Sequence, residues 1–187
     1  MMREGRQIII VLNGVGSAGK SSTAKAVQAL SSVPLLHVSM DGFLDMLPEG
    51  MIGHPDGIVF NASEVEGHRV VEVETGPVCD RLMSGMRHAV AAMAAEGNSL
   101  IVDDVMLGHE MAKYRALLSG HDLRFVRLNV PLNVLEARER QRGDREIGLA
   151  RAQYDIVARG QGYDLELDAG ANTPAQNAER ICAAFGL

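Results

Sequence analysis

The eight residues Gly14-Val-Gly-Ser-Ala-Gly19-Lys20-Ser21 fill every fixed position of the pattern G-x-x-x-x-G-K-[ST]. That spacing suits the holding of a polyphosphate. Glycines let the backbone curl until successive N–H groups point inward at phosphate oxygens, and a helix beginning near Lys20 aims its positive end at the same place. The expected contacts come from Gly14, Gly16, Ser17, Ala18, Gly19, Lys20, Ser21 and Ser22. Lys20 is placed to bridge the two terminal phosphates, and the Ser21 hydroxyl to ligate Mg²⁺. The plainer alternative is a glycine-rich turn that only caps a helix. An apolar run before the motif and helical spacing after it favour the phosphate grip.

Carboxylates and guanidinium groups recur where such a site needs them. Asp103 closes the apolar run 100–102, the arrangement in which a carboxylate holds Mg²⁺ through water and hydrogen-bonds the serine of the loop. Asp104 either faces a substrate or holds its own loop. Asp41 follows another apolar run and can accept the proton of an alcohol attacking the γ-phosphorus of ATP. The competing reading makes Asp41 the N-cap of a short helix near Phe43. Arg138, Arg140, Arg142 and Arg145 form a basic stretch. As a solvated face it would pair with Glu136, Glu139 and Asp144. As a lid, bending at Gly143, it would bring Arg142 and Arg145 onto the charge of a transferring phosphoryl group. Planar guanidinium groups suit that task better than ammonium groups, so the lid is preferred for those two. Arg138 stays open and Arg140 reads as surface. The six histidines show no metal-ligand spacing, and His54 alone sits in an irregular loop where it can touch a substrate. Met40, Met46 and Met51 fall nearby and either line an apolar pocket or fill the core.

The frame for these residues is legible as alternation. Runs at 8–12, 35–40, 100–102, 125–130 and 165–167 read as strands, mostly buried on both faces. Between them the spacing predicts helices over 21–30, 43–47, 106–118, 133–141, 147–158 and 174–185, the last with Thr173 as N-cap. A long helix after Pro77 carries the stripe Val78, Leu82, Met86, Ala89 and Met93. Segments 58–61 and 68–73 flank a polar turn and predict a β-hairpin outside the main sheet. The fold class is therefore α/β: a three-layer P-loop NTPase sandwich whose five-stranded, mainly parallel sheet has helices on both faces. Ligands of such sheets sit at the carboxyl ends of strands, where Asp41, Asp103 and Asp104 fall beside the glycine-rich loop.

Composition narrows the partners. With 187 residues, 47% hydrophobic and 22% charged, the chain reads as one domain, 1–187, with the hairpin at 57–75 as an insertion and 138–150 as the lid. A net charge of −6, a 4% aromatic fraction and no tryptophan argue against nucleic acid as a partner. No apolar run approaches membrane length, so no membrane partner is expected. Cys79 and Cys182 read as free thiols, and the cytoplasm is the expected compartment. The partners expected are ATP and a small hydroxyl-bearing substrate. A homo-oligomer is left open.

Taken together these residues resemble the chloramphenicol phosphotransferases. The similarity runs from Asn13-Gly14 and Ser17-Ala-Gly-Lys-Ser21 through Asp41, Gly57-Ile58 and Phe60 to Ile101-Val-Asp-Asp-Val105 with Leu107-Gly108. It continues at Arg142-Gly-Asp-Arg145, Tyr163-Asp164, Glu166 and Asp168. The resemblance implies five parallel strands, ATP and Mg²⁺, a carboxylate base at Asp41, lid arginines at Arg142 and Arg145, and phosphate binding by Lys20. Val15-Gly16 departs from the small polar residues of the family loop. Segment 49–56 diverges and is expected to shape the acceptor pocket. The reaction class thus carries over better than the acceptor, which can be the antibiotic, a nucleotide sugar as in zeta-type toxins, or a small metabolite. A nucleotide-dependent regulator without catalysis is the reading of a different class. A GTPase would need an Asn-Lys-x-Asp element, which the sequence lacks.

Overall fold

The structure, a computed structural model, describes residues 7–143, 146–158 and 162–187. Strand β1 (Ile9–Asn13) is buried at every residue and lies at the centre of a five-stranded sheet. Its neighbours are β5 (Ser99–Asp104) and β6 (Leu123–Asn129), with β2 (Leu35–Ser39) beyond β5 and β7 (Leu165–Asp168) beyond β6. All four pairings are parallel. A central parallel strand must be apolar on both faces, which is why its sequence does not alternate.

Side chains still alternate in space. Ile8, Ile10 and Leu12 point to one face, where they meet α1 (Lys20–Leu30), α5 (Leu132–Arg142), α6 (Leu149–Ala158) and α7 (Pro174–Phe185). Ile9 and Val11 point to the other, against α3 (Pro77–Ala95) and α4 (Glu110–Leu117). Two apolar layers therefore sandwich the sheet. Truncating Ile10, fully enclosed, to Ala would cost about 2–5 kcal/mol. Thr173 caps α7 through a capping box with Gln176, as its position before Pro174 predicts. Among the described residues no helix is long and apolar enough to cross a membrane.

Several boundaries differ from the sequence expectation. The short helix α2 (Met40–Leu44) starts directly at the end of β2, because the Ser39 hydroxyl accepts the Gly42 N–H and caps it. The helix expected from Met106 begins only at Glu110, and the residues before it form a loop in which the Met106 N–H bonds to Asn13 Oδ1 and the Gly108 N–H to Glu110 Oε2. The apolar stripe of α3 is rotated. Its fully buried positions are Cys79, Met86, Arg87, Val90 and Ala94, and Val78, Leu82, Ala89 and Met93 flank them. The helix turns a buried arginine toward the sheet, which an apolar count alone cannot anticipate.

The hairpin forms a separate two-stranded sheet, longer than expected: β3 (Ile58–Val65) and β4 (His68–Thr75). Its turn uses Glu66 and Gly67 at φ 50° and 75°, the positive pair a tight two-residue turn requires. At its base Gly76 passes so close to the preceding loop that a Cβ would lie 1.9 Å from the Pro55 carbonyl oxygen. Only glycine fits there.

Candidate active site

The loop after β1 is drawn into a nest. Ser17 and Gly19 take φ of 65° and 89°, both left-handed, and α1 opens at Lys20. Lys20 is 9% exposed and its Nζ donates to the carbonyls of Gly14 at 2.8 Å and Val15 at 3.1 Å. Gly14 contributes that carbonyl and a close approach to Leu128. The loop is anchored from below by Asn13, fully buried. Its Oδ1 accepts the Met106 N–H and its Nδ2 donates to the Tyr163 hydroxyl at 2.7 Å. The Asp164 carboxylate next to that tyrosine accepts the Phe125 N–H and ties the start of β7 to β6. Asn13 and Tyr163-Asp164 are thus positioning residues for the loop.

Asp103 stands on β5 opposite Leu12 of β1 and Ser39 of β2. Its Oδ2 lies 2.7 Å from His37 Nε2. Burial alone would raise its pKa. The His37 hydrogen bond, the Lys20 charge and a hydrogen bond from Ser21 together outweigh burial and hold the carboxyl below its ordinary value. An ionised carboxylate beside a hydroxyl at the end of a phosphate loop is a donor set suited to a small hard cation that keeps waters and phosphate oxygens as its other ligands. Among the described residues no group of three or more His, Cys, Asp or Glu forms an all-protein metal cage.

Asp41 sits in the first turn of α2, where Ser39, not Asp41, supplies the capping oxygen. The helix-cap reading of Asp41 therefore gives way. Asp104 does not face open space. Arg87 Nη2 and the Tyr114 hydroxyl both donate to its Oδ2, at 3.1 and 3.0 Å, and its Oδ1 accepts the Val105 N–H. Burial first, then the charge of Asp104, pushes the Tyr114 hydroxyl far above its ordinary pKa, so it stays a donor. Asp104 is the core of a buried knot joining α3, β5 and α4.

Two cavities meet along the loop. One, about 340 Å³, runs past Ser17, Gly19 and Ser22 to Arg138, Asn172 and Asn177. The next, about 350 Å³, holds Gly16, Lys20, Ser21, Asp41 and Asp103. Arg142 is exposed and borders both. Arg138 reaches across to the Ala169 carbonyl at 3.0 Å, and Arg140 is exposed, as expected of a surface residue. Arg145 lies outside the described residues. Glu139 is not a solvated partner of these arginines: it is 2% exposed and caps α6 by accepting the N–H groups of Gly148 and Ala150.

A third cavity of about 460 Å³ opens beside Asp41. Its walls are apolar residues of the hairpin and α3, among them Ile58, Phe60, Val73 and Met83, with Met40 and Leu149 at the rim. Segment 49–56 lines none of it, and neither does His54, whose Nδ1 instead accepts the Asp56 N–H. That loop buttresses the hairpin base from outside. Met46 is two-thirds exposed, so of the three methionines only Met40 reaches the cavity. His37, Arg87 and Gln153 also border the candidate site and carry no local signal in the sequence, except that Arg87 interrupts an apolar helix face.

Over 185 residues the chain is 31% identical to a Mycobacterium tuberculosis protein provisionally named an O-phosphotransferase, covering 96% of this chain and 81% of that one. In fold it is similar to the M. tuberculosis APS kinase solved with AMPPNP and APS, at TM-score 0.68 and 16% identity over 97% of this chain and 99% of that one. The Deinococcus radiodurans tunicamycin resistance protein gives 0.65 at 18% identity, covering 97% of each. A Sinorhizobium meliloti gluconokinase gives 0.62 at 19%, covering 97% and 94%. The fold is that of the P-loop kinases. The profile of the family described as chloramphenicol phosphotransferase-like protein matches residues 7–186, and the chain belongs to that family.

Proposed function

We propose that this protein transfers the γ-phosphoryl group of ATP to a hydroxyl of a compact, largely apolar alcohol. The observation that carries this reading is a junction. The cavity at the terminal-phosphate end of the loop and the apolar cavity share Asp41, with Met40, Val105, Leu149 and Gln153. A carboxylate at the meeting point of a phosphate nest and an apolar pocket is where an alcohol must lose its proton as it attacks phosphorus.

In this reading the backbone amides from Gly16 to Ser22 and the Lys20 ammonium hold the phosphates. Ser21 and Asp103 hold Mg²⁺, which when bound neutralises charge shared between the terminal phosphates. Lys20, now folded onto the Gly14 and Val15 carbonyls, turns to the incoming oxygens. The nucleoside extends into the cavity toward Asn172 and Asn177. Asp41 accepts the hydroxyl proton while the new O–P bond forms and the bond to the β-phosphate oxygen breaks, leaving ADP. Arg142, with Arg145, is assigned to charge on the transferring group, and segment 138–150 to a lid over it. The chain would act as one catalytic domain in which the hairpin walls the acceptor side.

The acceptor cavity narrows the substrate. Its cations are Arg87 and Lys113, against the carboxylates Asp41, Asp80 and Glu110, and Arg87 is already paired with Asp104. A nucleotide sugar, with two phosphates to neutralise, suits those walls poorly. An uncharged alcohol with an apolar body suits them well, and chloramphenicol is one member of that class. The test is a screen of acceptor alcohols for stimulated ADP release. Asp41→Asn should lower kcat by about 10²-fold or more with AMPPNP binding intact, and Lys20→Ala should abolish transfer. A normal rate in the Asp41 variant would remove the proposed base.

A further inference from the structure

Gly16 lies two residues into the phosphate loop, and its amide already has an acceptor. The side-chain carbonyl oxygen of Gln153, from 137 residues along the chain, takes its N–H at 3.2 Å. Gly16 borders the cavity of Lys20, Ser21, Asp41 and Asp103 and not the one running to Asn177. Its amide therefore belongs to the terminal-phosphate end of the nest. A carboxamide oxygen is a neutral counterpart of a phosphate oxygen, and one N–H cannot serve both at full strength.

The contact is built, not incidental. Gln153 is 9% exposed and sits one turn into α6. The start of that helix is pinned twice: by Glu139 from α5, and by the hairpin, where the Val71 N–H meets the Gly148 carbonyl at 3.1 Å and Arg69 Nε meets the Ile147 carbonyl at 3.0 Å. Gln153 also borders the acceptor cavity, and among the described residues nothing accepts a hydrogen bond from its NH₂ group.

We propose that Gln153 is a sensor of the γ-phosphoryl group. Its carbonyl holds the Gly16 amide until nucleotide binds, a nucleoside triphosphate displaces it, and a diphosphate leaves it in place. The released carboxamide turns to the acceptor cavity it already borders, so that cavity is completed only when a transferable group is present. This inference rests on the nucleotide reading above.

Binding of AMPPNP and of ADP, each with Mg²⁺, to the wild-type chain, Gln153→Ala and Gln153→Glu tests it by calorimetry near pH 8. Removing an internal competitor should tighten AMPPNP binding by about two- to tenfold in Gln153→Ala. A carboxylate keeps the Gly16 contact and adds repulsion, so Gln153→Glu should bind AMPPNP more than about tenfold more weakly. ADP affinity should stay within about threefold in both. A residue that merely packs would move both nucleotides alike. In a ¹⁵N spectrum of the wild-type chain, the Gln153 side-chain NH₂ signal, identified by its loss in Gln153→Ala, should shift on adding AMPPNP and not ADP. Unchanged AMPPNP affinity in both variants, equal changes for the two nucleotides, or an NH₂ signal indifferent to AMPPNP overturns the sensor. No AMPPNP binding by the wild-type chain overturns the proposed function itself.

Discussion

Asp103 is held ionised in a setting that by burial alone would favour its neutral form, and the holding groups are His37, Lys20 and Ser21. The consequence for stability has a definite sign. A carboxyl whose folded pKa lies below its unfolded value stabilises the fold above the ordinary aspartate range, and that contribution is lost as pH falls through the depressed value. Thermal melts of the nucleotide-free protein should therefore show Tm falling on the acid side of the ordinary aspartate pKa, about 3.9. Asp103→Asn, which keeps an oxygen for His37 but cannot titrate, should show a smaller fall over the same window. Parallel curves for the two proteins would mean that Asp103 gains nothing from its neighbours. The same residue scale explains what the linear sequence does and does not disclose. The proposed phosphate loop is legible because the backbone amides assigned to it are adjacent in the chain. His37 and Gln153 are not, because their partners lie 66 and 137 residues away and only the fold joins them.

Among the elements, the knot of Arg87, Asp104 and Tyr114 ties the proposed acceptor wall to the strand that carries Asp103. Arg87 and Asp104 are 7% and 0% exposed at their side chains, so neither can be relieved by water. Arg87→Met should destabilise the protein by about 3–5 kcal/mol, because it strands a buried carboxylate. Tyr114→Phe removes one hydrogen bond to that carboxylate while leaving its counter-charge, and should cost less, about 2 kcal/mol. Urea titrations with unchanged m-values would measure both, and equal effects would contradict the assignment of Asp104's charge to Arg87. The helices themselves were legible where periodicity and caps agree, as in α7, whose Thr173 and Pro174 announce its start. They are less so where a side chain from elsewhere meets the boundary: Glu139 from α5 caps α6, and Asn13 from β1 ties Met106 into the loop before α4. The phase of α3 is hidden for a related reason. Its core face includes an arginine whose burial makes sense only beside Asp104.

For the molecule as a whole, the proposed catalytic groups and the proposed acceptor wall stand on parts of unequal stability. The phosphate loop, Asp103 and Asp41 hang from a parallel sheet packed on both faces, whereas the wall is a two-stranded hairpin with an exposed outer face. A two-stranded sheet is marginal by itself, and this one leans on α6, α3 and the loop before it. Amides of β1 and β5 should therefore exchange with deuterium only on global unfolding, while those of the outer half of β3 and β4 exchange through local opening many times faster. Ligands should separate the two regions. AMPPNP with Mg²⁺ should slow exchange in the loop and α1 first. An alcohol that truly fills the cavity between Phe60, Val73 and Met83 should slow exchange in the hairpin, because it adds apolar contacts that the hairpin makes only when occupied. Hairpin protection in the presence of AMPPNP thus gives a way to rank candidate acceptors without waiting for turnover. Should an alcohol that is phosphorylated leave hairpin exchange untouched, the wall has been assigned to the wrong element.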